Sequence, residues 1–192
     1  MVLYDLVQKN RSYRRFDQTR TLDRDNLVDL IKLARMTPSA ANRQPLKYII
    51  ANKPELNQKI FSTLAWAGYL TEWDGPVEGE RPTAYIIVLC DRTITENPNV
   101  DPGVVAQTIM LGAVEKGFGG CIIGSIKKEE LSIILNLPEH LRIELVLALG
   151  HPVEKVHLDA VKQDGSIKYF RDEDDVHHVP KRALEEILLE LP

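Results

Sequence analysis

Near the start of the chain, Arg11-Ser12-Tyr13-Arg14-Arg15-Phe16 sets three cations within five residues, although the whole protein carries a net charge of −4. Such a knot is placed to hold an anion. A phosphate wants bidentate donors in fixed geometry, and the arginine fork supplies them better than lysine. Taken alone, a solvated basic edge paired with Asp5, Asp17 or Asp23 explains the same residues. A second segment, Thr37-Pro38-Ser39-Ala40-Ala41-Asn42-Arg43-Gln44-Pro45, is a polar loop of small residues between a helical and a strand pattern. Ser39, Asn42 and Gln44 offer donors and acceptors, while Ala40 and Ala41 let a planar ligand approach the backbone. Alone, it is an ordinary helix-to-strand turn. The two segments together suggest a site for a phosphorylated aromatic cofactor.

Two further segments bear on that reading. Gly119-Gly120-Cys121-Ile122-Ile123-Gly124-Ser125 brackets an apolar strip with glycines, which would expose backbone N–H groups beside a flat ring. By itself it reads as a buried strand with tight turns. Val179-Pro180-Lys181-Arg182 puts basic side chains at the start of a helical pattern, against the helix dipole, and a bound phosphate would offset them. Plain solvated charge is the alternative.

Other chemistry lacks a signature. Gly117-x-Gly119-Gly120 lies at a helix end and so fails the context of a dinucleotide fingerprint, and there is no Walker loop. No serine-histidine-aspartate nucleophile pattern and no carboxylate pair stands out. The five histidines are scattered apart from His177-His178, which reads as surface in a charged tail, and no metal site is expected. No side chain is assigned as catalytic; if the protein is an enzyme, its hard chemistry is expected to belong to a bound cofactor.

These segments need elements to position them. A short amphipathic helix over 2–10 carries Leu3, Leu6 and Val7 on one face. Asp23 caps a helix with a stripe of Leu27, Leu30, Ile31 and Ala34, ended by Pro38. Tyr48–Ala51 is a strand, and Pro54 opens a helix to about Leu64. Residues 66–82, with two Trp, three Gly and two Pro, read as a loop or lid. Tyr85–Cys90 is a central strand. Asp101-Pro102 caps and opens a long helix to Lys116, closed by Gly117, Gly119 and Gly120. Ser125 caps a helix over 127–135, and Ile143–Leu149 is a strand. Residues 154–179 read as mostly irregular, before a final helix through Leu184, Ile187, Leu188 and Leu191. Helices and strands mix without βαβ alternation, which argues an α+β fold in a single domain over 1–192. The 44% hydrophobic content suits a soluble globular chain, and the acidic balance disfavours a nucleic-acid partner. No apolar run is long enough for a membrane helix, and no signal peptide is evident. Cys90 and Cys121 in apolar runs fit free thiols in the cytoplasm.

In order and spacing, Arg11-Ser12-x-Arg14, Pro38-Ser39-Ala40-x-Asn42-x-Gln44-Pro45, Gly120–Ser125 and Lys181-Arg182 resemble the FMN-dependent nitroreductase family. The resemblance spans about Leu3 to Leu189. It implies a central, mostly antiparallel sheet flanked by helices, in an intertwined homodimer with FMN at the interface. By the family pattern Arg11, Lys181 and Arg182 would bind the FMN phosphate. Ser12 and Arg14 would contact the ribityl chain and the pyrimidine end of the ring. Pro38, Ser39 and Ala40 would come from the other subunit, with Asn42 and Gln44 lining the same pocket. Ile123 and Gly124 would offer backbone N–H groups near flavin N5; family members often carry an acidic side chain where Ile123 stands. The implied activity is ping-pong: NADH or NADPH reduces the flavin and leaves, and a nitroaromatic, quinone or similar electron-poor small molecule takes its place. Arg43, where a smaller polar residue is common, is expected to favour anionic substrates or the NADPH phosphate. Reductive dehalogenation or flavin fragmentation on the same fold, a non-catalytic flavin-binding or redox-sensing protein, and a module binding some other phosphate are the competing readings.

Overall fold

A computed structural model describes residues 2–190, which form two compact units: residues 2–66 with 75–153, and residues 67–74 with 154–190.

The larger unit is built on a four-stranded antiparallel sheet in the order β1 (Leu46–Ala51), β2 (Ala84–Asp91), β4 (Leu141–Gly150), β3 (Gly119–Ile123). The unbroken apolar run of β2 has its explanation here: every residue but Asp91 is buried, because the strand is central and covered on both faces. On one face, Ala84, Ile86, Val88, Leu147 and Leu149 pack against α2 (Arg24–Arg35) and α4 (Asp101–Glu115) through Leu27, Leu30, Val105, Ile109 and Met110. Asp23 caps α2 as expected, its carboxylate accepting the Asn26 N–H at 2.8 Å. On the other face Tyr85, Ile87 and Leu89 are buried, and α3 (Pro54–Phe61) is tied to the sheet by the Asn57 amide donating to the Thr83 carbonyl at 2.8 Å. The N-terminal helix α1 (Leu3–Lys9) buries no residue within the chain; Leu3, Tyr4 and Val7 are exposed.

Several sequence expectations shift. Asp101 does not cap α4; it is the first helical residue, Val100 precedes it, and its carboxylate serves another segment. Gly117, at φ +79°, ends α4 as a left-handed residue, but Gly119 and Gly120 belong to β3. Helix α3 ends at Phe61, before Leu64. Helix α5 (Lys128–Ile134) is preceded by Lys127 and not capped by Ser125, because the backbone there is already paired: Ala65 N–H donates to the Ser125 carbonyl and Lys127 N–H to the Thr63 carbonyl.

The smaller unit corrects the reading of 154–179 as irregular. It holds a sheet in the order β5 (Val156–Ala160), β7 (His177–Lys181), β6 (Phe170–Arg171), with β5 parallel to β7. Its organising contacts are polar and aromatic. Arg171 pairs with buried Glu154 at 3.1 Å and lies over the Trp73 ring at 4.2 Å, and Tyr69 meets Tyr169 at 4.9 Å between centroids. The 66–82 stretch is therefore loop, as expected, but shared: 67–74 packs with the C-terminal sheet, and the rest belongs to the larger unit. His177, expected at the surface, is buried. Lys181 closes β7 instead of opening a helix; α6 (Leu184–Ile187) follows as one turn with exposed Leu184 and Ile187. Leu191 lies outside the described residues.

Candidate functional site

The 38–45 loop is held by Asp101. This carboxylate, only 3% exposed, accepts the Ser39 hydroxyl at 2.6 Å and the Ala40 N–H at 3.0 Å. Ser39 Oγ in turn accepts the Gln44 N–H at 2.9 Å. The relay fixes a backbone that would not hold itself. Ala41, Asn42 and Gln44 have φ of 51°, 52° and 50°, and each left-handed non-glycine residue costs on the order of 1 kcal/mol. Strain of this kind persists only where surrounding structure enforces it, as the Asp101 relay does here. Beneath the loop a cavity of about 150 Å³ is lined by Ser39, Gln44, Tyr48 and Asp101 among others. Burial, aided by the Asp101 charge, pushes the Tyr48 phenol up to about 12, so it stays a neutral hydroxyl. Arg43 is exposed and donates to Thr95 Oγ1 at 3.5 Å.

The arginine segment lies against β3. Ser12 bridges Gly120, and Tyr13 N–H donates to the Gly120 carbonyl at 2.9 Å. Such closeness requires glycine: a Cβ on Gly120 would overlap the Ala148 carbonyl oxygen, and one on Gly119 would meet Tyr13 Cδ2 at 2.7 Å. The three arginines separate in role. Arg15 makes a bidentate pair with Glu80, both contacts 2.7 Å, and so has a structural function. Arg14 Nη1 donates to the Ser12 carbonyl at 3.2 Å. Arg11 Nη2 donates to the Val7 carbonyl at 2.6 Å, while its Nε is buried with no hydrogen-bond partner among the described residues. Further along β3, which pairs with β4 on one side only, the Ile123 side chain is buried and Gly124 is exposed.

Two clusters result, and the sheet sets them far apart. Leu46, where the loop enters β1, is level with Cys90 and Arg142; Gly120 is level with Leu149 on the opposite edge. The offset is about 24 Å along the strands and about 14 Å across them, at ~3.4 Å per residue and ~4.8 Å per strand. Within one chain the loop and the arginine segment occupy diagonally opposite corners of the sheet. Lys181 and Arg182 lie in the smaller unit, exposed, with Arg182 pairing to Glu186 at 3.2 Å. A larger cavity of about 380 Å³, lined by Asn57, Phe61, Arg81 and Tyr85, touches none of these motif residues.

The donors suit a phosphorylated flavin. The buried Arg11 Nε is the orphaned cationic donor a phosphate would satisfy, and Gly124, where a Cβ would meet only Leu145 Cδ2 at 4.0 Å, and the small residues of the loop leave backbone open to a planar ring. Sequence reasoning missed Asp101 and Tyr48. Asp101 carried a signal, but its place before a proline made it look like a helix cap.

An α+β sheet flanked by helices, with an arginine segment at one corner and a strained polar loop at the other, defines a class. The chain belongs to the nitroreductase family, whose sequence profile matches residues 7–151. Iodotyrosine deiodinase of Thermotoga neapolitana is 24% identical over 168 residues, covering 79% of this chain and 89% of that protein. An Archaeoglobus fulgidus protein with the provisional name NADH dehydrogenase/NAD(P)H nitroreductase is 25% identical over 158 residues, covering 78% of this chain and 85% of its own length. An FMN-dependent nitroreductase of Clostridium difficile R20291 shares the fold with a TM-score of 0.65 at 18% identity, over 80% of this chain and 89% of its own.

Proposed function

We propose that this protein is an FMN-dependent NAD(P)H oxidoreductase that reduces electron-poor small molecules and works as a homodimer. The observation that carries the reading is the pair of clusters at opposite corners of the sheet. One flavin cannot lie against both within one chain, but a second copy can bring its loop to the first copy's arginine segment. The exposed apolar side chains of α1, and those of Leu184, Ile187 and Leu188, are surface that a second copy would cover. In the completed site Arg11 holds the phosphate, joined by Lys181 and Arg182. Ser12 and Arg14 take the ribityl chain and the pyrimidine edge, where a cation stabilises developing negative charge. The partner copy supplies Pro38, Ser39 and Ala40, with Asn42 and Gln44 in the same pocket, and Ile123 and Gly124 offer backbone N–H groups. Bound FMN supplies the two-electron transfer between nucleotide and acceptor; no side chain is asked to act as a general acid.

Purified protein is expected to be yellow, and NADH or NADPH to bleach it in stopped flow. A colourless protein that does not take up FMN contradicts the reading. A flavin that neither nucleotide reduces makes the protein a flavin binder. The match to an iodotyrosine deiodinase favours one second reading, reductive dehalogenation at the same site. Turnover of iodotyrosine in preference to nitroaromatics, quinones and enones would select it.

A further inference from the structure

The smaller unit brings together residues that the sequence keeps apart. His157 and Asp159 are alternate residues of β5 and share one face of the strand. Parallel pairing sets His178 of β7 directly beside His157. The Asp159 carboxylate then lies between two imidazoles, with His157 Nδ1 at 2.9 Å and His178 Nδ1 at 2.8 Å. One ligand atom from each of the three residues lies within 4.8 Å of the others. A tetrahedral zinc site places its nitrogen and oxygen ligands ~2.0–2.2 Å from the ion, hence about 3.4 Å from one another. The two nitrogen–carboxylate separations are somewhat shorter than that and the full set spans up to 4.8 Å, so small side-chain rotations bring the three ligand atoms to the required spacing.

The surroundings match a built site. His178 offers its Nδ1 to the cluster and its Nε2 to the Asp172 carboxylate at 3.0 Å. A carboxylate behind a histidine is the usual way a metal-binding imidazole is oriented. The Phe170 ring stacks on His178 with centroids 4.8 Å apart and planes 6° apart, which fixes the ring plane. Asp159 and Asp172 bring two negative charges, and a divalent cation balances them.

We propose that His157, Asp159 and His178 bind a divalent late first-row metal ion, with Asp172 as the residue that positions His178. Two imidazoles and one carboxylate select zinc, cobalt, nickel or copper over magnesium and calcium. Three protein ligands leave a fourth position for water. The ion ties β5 to β7 and so closes the 161–176 stretch between them, in a part of the chain beyond the residues that the family profile matches. No local spacing signals this cluster, because the two histidines meet only through non-local strand pairing.

The test uses the untagged, full-length, flavin-loaded protein after chelation and dialysis, titrated calorimetrically with Zn²⁺ and, separately, with Mg²⁺. One Zn²⁺ per chain is expected to bind at micromolar concentration, with no Mg²⁺ binding, and added Zn²⁺ should raise the melting temperature. The His157 side chain is 64% exposed, and its removal leaves both His178 hydrogen bonds in place. His157→Ala should therefore keep the metal-free melting temperature while weakening Zn²⁺ binding at least tenfold. Asp172→Asn should weaken it by about tenfold as a positioning residue. No Zn²⁺ binding by the wild type, equal binding of Mg²⁺, or wild-type affinity in His157→Ala would overturn the proposal.

Discussion

Asp101→Ala is expected to release the 38–45 loop and to cost the protein its flavin. The substitution leaves the Ser39 hydroxyl and the Ala40 N–H without their charged acceptor, in a place nearly closed to water. It also frees three left-handed residues to relax toward ordinary backbone. Losing hydrogen bonds to a buried carboxylate costs about 2–3 kcal/mol, visible as a lower urea midpoint. FMN affinity should fall by at least about tenfold, since binding must then re-order the loop. Asp101→Asn keeps one acceptor oxygen and should fall between. An Asp101→Ala protein that binds FMN as tightly as the wild type would show that the loop needs no support from α4.

Gly120→Ala should be the most damaging single methyl in the larger unit. The added carbon would overlap the Ala148 carbonyl oxygen and press on Leu149 Cδ2 at 2.9 Å and Met110 Cε at 3.0 Å. Neither a paired backbone carbonyl nor the buried Leu149 has room to withdraw. A loss of about 3 kcal/mol follows, with β3 forced away from β4 and from the Ser12 segment it carries. Gly103→Ala is the control: a Cβ there meets nothing within 4 Å, and helical alanine gains about 0.5–1 kcal/mol over glycine. Equal unfolding midpoints for the two variants would contradict the packing described for β3.

The larger unit was legible where local signals were strong. The apolar run of β2, the 3.6-residue stripe of α2 and the Asp23 cap state their structure within a few residues. Asp101 was not legible, because its partners Ser39 and Ala40 lie some sixty residues upstream and a better-known role was at hand. The smaller unit was hidden for a different reason. Its β5–β7 pairing is parallel and non-local, its buried contacts are ionic and aromatic, and Pro180 inside β7 lacks the N–H that a strand pattern calls for. The site motifs were found as residues, but not their separation across the sheet, which depends on strand order alone.

That separation supports the central claim, that two copies of the chain share each flavin. Its most direct measurement is the flavin content of a mixed dimer. Arg11→Ala chains and Asp101→Ala chains, each under its own affinity tag, are co-expressed and purified through both tags. Each variant alone should retain little FMN. In the mixed dimer one site draws Arg11 from one chain and an intact loop from the other, and the second site carries both defects. The account predicts one FMN per mixed dimer, reducible by NAD(P)H. A mixed dimer with no more flavin than either parent would contradict it.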